Sequence, residues 1–168
     1  MRWAVLFHDL ESQMEAQVAE EQRWAALDIA EAEMAAVTLE DRLRGALGGQ
    51  VTLHTLASAV ISGVLEQVGA GFVVVEAAHA QWVVPTARLA GVRMDSRARE
   101  GSGVLARLGV GHALREIARD GQPVRVAVVG SDVSVGHLVR VGKDHVDLAA
   151  PGGVWTIPWG AIDYVATT

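Results

Sequence analysis

The sequence predicts an α+β fold, in which an N-terminal helical arm is followed by two repeated five-stranded β units joined by a helix. Three observations predict it. Residues 2–36 contain no Gly or Pro and are rich in strong helix formers such as Ala, Glu and Leu. Shifting the sequence by 73 residues superimposes 51–92 on 124–165 with many identities. Within each half, short alternating apolar runs are separated by turn residues, which is typical of β-strands. The predicted segments are the arm at 1–50, the first β unit at 51–94, an Arg-rich linker helix at 95–123 and the second β unit at 124–168.

The composition limits the classes of protein that the chain can belong to. It has 168 residues, of which 51% are hydrophobic, so it can build a core and does not resemble a disordered chain. The absence of Cys excludes disulfides, thiol catalysis and zinc–thiolate sites. The net charge of −6 argues against a generic polybasic nucleic-acid binder. No signal-peptide core and no membrane-span-length apolar run is visible, so we expect a cytoplasmic protein without membrane contact.

The helical arm carries the net charge of the chain. Residues 1–50 contain ten acidic residues and four arginines, which gives −6, and the rest of the chain sums to zero. Thr38 is the expected cap of a second short helix, 39–47, which Gly48 and Gly49 end. The first apolar residues of the arm form a stripe with the spacing of helix–helix packing. We predict that this stripe contributes to homo-oligomerisation; docking of a different protein is the alternative. The stripe consists of Trp3, Leu6, Phe7, Leu10 and Met14.

Each half of the repeat is predicted to hold five short strands. The second strand of each half has an interior glycine, Gly63 or Gly136, which indicates a bulge or a sharp bend. Pro85 and Pro158 end the fourth strand, because proline donates no ladder hydrogen bond. Sheets this short lose their open edges by closing into small barrels. The sequence therefore leaves three arrangements open: the two halves form separate barrels, they form one fused barrel, or they exchange strands between subunits.

The middle of the chain is locally basic. Between Thr86 and Arg125 there are eight arginines and four acidic residues, which sum to +4. A solvated face explains this charge; contact with phosphates or with an acidic partner is the alternative. Trp82 and Trp155 coincide in the repeat and are expected to pack, whereas Trp159 has no equivalent and is expected, with Tyr164, to form an exposed aromatic patch. The candidate nucleic-acid or partner contacts are Arg97, Arg99, Arg107, Arg115, Arg119, Arg140, Lys143 and Trp159.

The order of a short helix and five strands, with the glycine in strand two, resembles the Sm-like family, including its bacterial Hfq branch, and more widely SH3-like barrels. The family's first motif is similar to Gly136-His137-Leu138 with the strand that follows at His145–Leu148. Its second motif is similar to residues 157–165. The same stretch resembles an uncharacterised actinobacterial family whose members are sometimes labelled Fis-type regulators. The resemblance covers about 39–168 and implies a small β-barrel fold and edge-to-edge or ring-like assembly.

The residues that form the uridine pocket in Sm-like proteins are not carried over. The position of the family's Asp is Gly69 and Gly142 here, and that of its Asn is Val73 and Val146. No nucleophile–base pair, phosphate loop or metal-ligand spacing is present, so neither an enzyme nor a cofactor is expected. The sequence therefore predicts a non-enzymatic assembly module that acts through protein contacts and homo-oligomerisation. The alternative is a protein that binds RNA or single-stranded nucleic acid through the Arg-rich middle and the aromatic patch.

Overall fold

The chain divides into two compact units, Met1–Thr38 and Leu39–Thr168. A computed structural model describes residues 2–95 and 107–168, without the side chains of residues 2–13, 15, 16 and 19. The first unit is helix α1 (Arg2–Ala36), as the sequence predicts, and all its described side chains are exposed. The described residues of the second unit form two α-helices, ten strands and two short 3-10 helices, Thr86–Arg88 and Trp159–Ala161.

The elements of the second unit follow each other closely along the chain. Its helices are α2 (Leu39–Gly45) and α3 (Val110–Asp120). The strands of the first half are β1 (Gln50–Thr55), β2 (Val60–Gly69), β3 (Phe72–Ala77), β4 (Ala80–Pro85) and β5 (Leu89–Met94). Those of the second half are β6 (Val124–Val128), β7 (Ser134–Val141), β8 (His145–Ala150), β9 (Gly153–Pro158) and β10 (Ile162–Thr167).

The predicted linker helix at 95–123 is described only in part, because residues 96–106 lie outside the described residues. Helix α3 starts at Val110, after an extended Gly109. Leu108 and Gly109, just before it, pair with the first half. The backbone N–H of Ala70 donates to the carbonyl oxygen of Leu108 at 2.9 Å, and Ala70 forms a parallel bridge with Gly109.

All ten strands form one antiparallel sheet in the order β5-β1-β2-β3-β4-β10-β6-β7-β8-β9. This sheet is not closed, so the structure does not show the two β-barrel units that the sequence predicts. The physical reason is that β4, which pairs with β3 on one side, pairs on its other side with β10 of the second half and not with β5 of its own half.

The repeat is visible in the strand order, since each half places its strands in the order fifth-first-second-third-fourth. The register irregularity between Leu65 and Gln67 recurs between Leu138 and Arg140, 73 residues later. We call two residues separated by this spacing repeat equivalents. The irregularities increase the local twist, and they recur because the two halves bend their second strands at the same place.

The two halves share their apolar packing. One cluster is built from the first half together with Leu43 of α2 and partly buried Tyr164 of β10. The other combines the second half and α3 with Phe72, Val74 and Val83 of the first half. Because each cluster draws residues from both halves, we expect Leu39–Thr168 to unfold as one unit.

Leu43→Ala tests the contribution of α2 to this core. Leu43 is fully buried in the first cluster, and we expect its truncation to lower the free energy of unfolding by about 3 kcal/mol. Chemical denaturation followed by circular dichroism measures the change. Leu47→Ala is the control, since Leu47 is 48% exposed and its truncation should cost less than about 0.5 kcal/mol. Equal effects of the two substitutions would contradict the role of α2 in the core.

Candidate assembly interface

The contact between β4 and β10 joins the two halves, and we call it the internal joint. Val165 lies opposite Val83, and Ala166 lies opposite Trp82. The backbone N–H of Gln81 donates to the Thr167 hydroxyl at 2.9 Å. The ladder is short, so side chains around it must contribute much of the specificity with which the halves pair.

Trp82 is the largest side chain at the internal joint. Its ring centroid lies 5.0 Å from that of Tyr164 on β10, with the ring planes tilted by 49°. The guanidinium carbon of Arg125 on β6 lies 5.3 Å from the Trp82 centroid, within the range of a cation–π contact. The indole N–H donates to the carbonyl oxygen of Ala77 at 3.2 Å. The second half thus covers both the ring face and the edge strand of the first half.

A buried polar contact also crosses between the halves. The hydroxyl of Thr55, at the end of β1, donates to Oδ2 of Asp163 on β10 at 2.6 Å. The Thr55 hydroxyl in turn accepts from the backbone N–H of Ala59 at 3.1 Å. Among the residues that the structure describes, these are the only two buried polar side chains, with Thr55 3% exposed and Asp163 fully buried.

The outer strands of the sheet are β5 and β9, and each leaves one edge without a partner strand in the described part of the chain. These free edges are the repeat equivalents of the two strands that meet in the internal joint. Side chains on β9 are correspondingly more exposed than those on β4. Trp155 is 53% exposed where Trp82 is half-buried, and Thr156 is exposed where Val83 is 2% exposed.

The free edge of β9 lacks the charged side chains that commonly prevent edge pairing, and its one proline stands at the end of the strand. Its sequence, Gly-Val-Trp-Thr-Ile-Pro, contains no charged residue, whereas exposed edges are commonly protected by Lys or inward-pointing charge. Val154 and Trp155 are adjacent and both more than half exposed. An uncharged edge with two large apolar side chains is suited to pairing with another strand.

The predicted basic contacts lie on separate parts of the second unit. Arg97 and Arg99 fall outside the described residues. Arg107, Arg115, Arg119, Arg140 and Lys143 are all exposed. Arg119 is paired with Glu116 one turn earlier on α3, and Nε of Arg140 lies 3.8 Å from an Asp147 carboxyl oxygen. Arg119 and Arg140 thus each have an acidic neighbour, and they lie on different elements, α3 and β7.

A groove beside α3 is acidic rather than basic. Its volume is about 380 Å³, and it is lined by Glu66, Glu76 and Asp120 with the polar side chains of His79 and Gln81. Phosphate groups would be repelled from this lining. The groove therefore does not favour nucleic acid.

The structure separates the two residues of the expected aromatic patch. Trp159 packs against the second cluster, and a Cβ on Gly111 of α3 would lie 2.5 Å from its ring. Tyr164 packs against the first cluster and Trp82. The two rings lie in different clusters and do not form one exposed surface.

Of the predicted oligomerisation residues on α1, only Met14 has a described side chain, and it is 63% exposed. The side chains of Trp3, Leu6, Phe7 and Leu10 lie outside the described residues. Further along α1, Trp24, Ile29 and Met34 are also exposed.

The sequence predicts that Trp155 packs in the fold, and it does not single out Thr55 or Asp163. The repeat alignment contained a signal for the last two, because Thr55 is aligned with Val128 and Asp163 with Ala90. The polar pair Thr55 and Asp163 is thus aligned with the apolar pair Val128 and Ala90, and this difference marks a place where the two halves have diverged.

The chain matches no family model and no curated protein. Across the described residues, no helix combines the length and apolar character that a membrane crossing requires. Nor do three or more His, Asp or Glu side chains of the described ranges come together as a group able to hold a metal ion.

Proposed function

We propose that the protein is a non-enzymatic assembly module, in which β9 of one copy pairs with β5 of a second copy. One observation carries the proposal. Positions that are buried at the internal joint are exposed at the free edges, as Val83 and Thr156 illustrate. A second copy would cover these positions as β10 covers β4. The resemblance to Sm-like small barrels supports the same kind of edge-to-edge contact.

The internal joint provides a register for the contact between copies. We replace each residue pair of the internal joint by its repeat equivalents. Val92 of the second copy then lies opposite Thr156, and Arg93 of the second copy lies opposite Trp155. Arg93 takes the position of Ala166, directly across the joint, so its guanidinium would lie within reach of a cation–π contact with the exposed indole.

Such a contact uses a different surface on each copy, so it is heterologous. Each copy keeps one free edge after the first contact, and addition continues until a ring closes or a filament grows. Helix α1 offers a further surface for a protein partner, because its described apolar side chains, including Trp24 and Met34, are exposed.

Sedimentation velocity and light scattering on the full chain over a range of concentrations test the proposal. We expect species heavier than the 17.8 kDa chain, with a mass distribution that shifts upward with concentration. A single species of monomer mass at every concentration would contradict assembly through the sheet edges.

RNA binding is the alternative function, and we expect it to be absent. The exposed arginines are partly paired and the groove beside α3 is acidic. Titration of fluorescent oligo-U and oligo-A should show no saturable binding tighter than about 10 µM at moderate salt, the range of non-specific contacts. Saturable binding below this range that weakens in Arg115→Ala would support the RNA function instead.

A further inference from the structure

We propose that Thr55 and Asp163 determine which halves pair, so that first and second halves alternate through the assembly. This inference rests on the proposed function, because it concerns the joints between copies as well as the joint within one chain. It starts from the hydrogen bond between Thr55 and Asp163, whose repeat equivalents, Val128 and Ala90, are both apolar.

Asp163 lies where the ladder between β6 and β10 is irregular. Ile162 and Tyr164 have partners on β6, and the residue between them has none. Asp163 is fully buried at this irregularity, where Oδ2 accepts from Thr55 and Oδ1 has no partner among the described residues. When a buried carboxyl group loses its hydrogen-bond donor, the equilibrium constant for forming the joint around it falls several-fold to many-fold. The Thr55 hydroxyl is therefore a requirement for seating β10 on the first half.

The same irregularity recurs in the first half, where Ala90 is the residue without a partner on β1. Ala90 is exposed on the free edge strand, and Val128, the equivalent of Thr55, ends β6. When β5 of one copy joins β9 of another, Ala90 would face Val128. Both joints are then matched, one polar and one apolar.

The mismatched combinations are disfavoured to different degrees. A second half seated on another second half would place Asp163 against Val128, which has no hydrogen-bond donor in its side chain. A first half seated on another first half would place Ala90 against Thr55, whose hydroxyl would lose its acceptor. The first mismatch leaves a buried carboxyl group unpaired and is the more costly. Specificity therefore arises mainly because the wrong pairing buries a carboxyl group without a hydrogen-bond donor.

Two single substitutions in the full chain test this rule at the joint between copies. Ala90→Asp places a carboxyl group against Val128, and we expect at least a 10-fold loss of assembly. Val128→Thr should assemble within about threefold of the unchanged chain. A 1:1 mixture of the two variants should restore assembly of the Ala90→Asp chain, because each joint in an alternating assembly is then matched. Sedimentation with a fluorescent label on the Ala90→Asp chain measures its incorporation.

The control is the same labelled chain mixed with the unchanged protein, which offers only Val128 and should rescue it poorly. Equal incorporation into the unchanged protein and into Val128→Thr would overturn the proposal. So would full assembly of Ala90→Asp alone.

A second measurement keeps the inference testable if the unchanged chain does not assemble. Thr55→Val leaves Asp163 without its donor within one chain, and we expect it to lower the urea midpoint. The double variant Thr55→Val with Asp163→Ala reproduces the apolar pair of the other joint and should recover much of that loss. Additive losses in the double variant would overturn the role of the pair, whereas a monomeric chain that shows the recovery would contradict only the proposed assembly.

Discussion

Replacement of Trp155 by Lys should weaken assembly by about 30-fold or more, because a large indole at the centre of an interface commonly contributes about 2 kcal/mol or more to binding. The ring is 53% exposed in the single chain, so its loss should leave folding intact. The new ammonium group would also lie opposite Arg93 of the second copy and be repelled by it. Sedimentation equilibrium measures the change, and far-UV circular dichroism verifies the fold.

The same register predicts a rescue. Arg93→Glu combined with Trp155→Lys places opposite charges across the joint, and the double variant should recover at least 10-fold of the lost association. Val135→Lys is the matched control, since Val135 is 49% exposed on β7, which has partner strands on both sides. The register would be wrong if the charge pair gave no recovery, and edge pairing itself would be wrong if Val135→Lys dissociated the assembly as strongly.

Most of the secondary structure could be predicted from the sequence, because the repeat supplied each element twice. The turn residues and the interior glycines marked the same five strands in both halves, and α1 and α2 followed from composition and capping. The sequence did not predict that all ten strands form a single open sheet. Nothing in the sequence of β4 or β10 states whether an edge closes its own half or pairs with the other, since both outcomes satisfy the same alternating pattern.

The candidate interface was predicted only in part. The stripe on α1 predicted homo-oligomerisation and the resemblance implied edge-to-edge assembly, but the short strands predicted closed barrels without free edges, and the exposure of Trp155 was not predicted. Its equivalence with Trp82 suggested a common environment, and the structure places the two rings in different ones. Sequence identity between repeats reports a shared fold, whereas burial depends on which repeat has a neighbour. The divergence of Thr55 from Val128 and of Asp163 from Ala90 was the better guide to where the halves meet.

Gly136→Ala should destabilise the fold by about 3 kcal/mol or more, the largest stability effect that we expect from a single methyl group. A Cβ at this position would lie 2.1 Å from the carbonyl oxygen of Ala149 on β8, and a Cβ at Gly63 would lie 2.1 Å from that of Glu76 on β3. The obstacle is backbone in both cases, so a rotamer change cannot relieve it and the strands themselves must separate.

The size of this effect distinguishes a bend that requires glycine from a glycine that is merely tolerated. Gly91→Ala is the control, because Gly91 also lies in a strand and a Cβ there would meet nothing within 4 Å; it should change stability by less than about 0.5 kcal/mol. Urea denaturation of the three variants measures the difference. Since both apolar clusters draw residues from both halves, Gly63→Ala and Gly136→Ala should each lower the midpoint of one common transition. Two separate transitions, with only one shifted in each variant, would instead mean that each half folds on its own core.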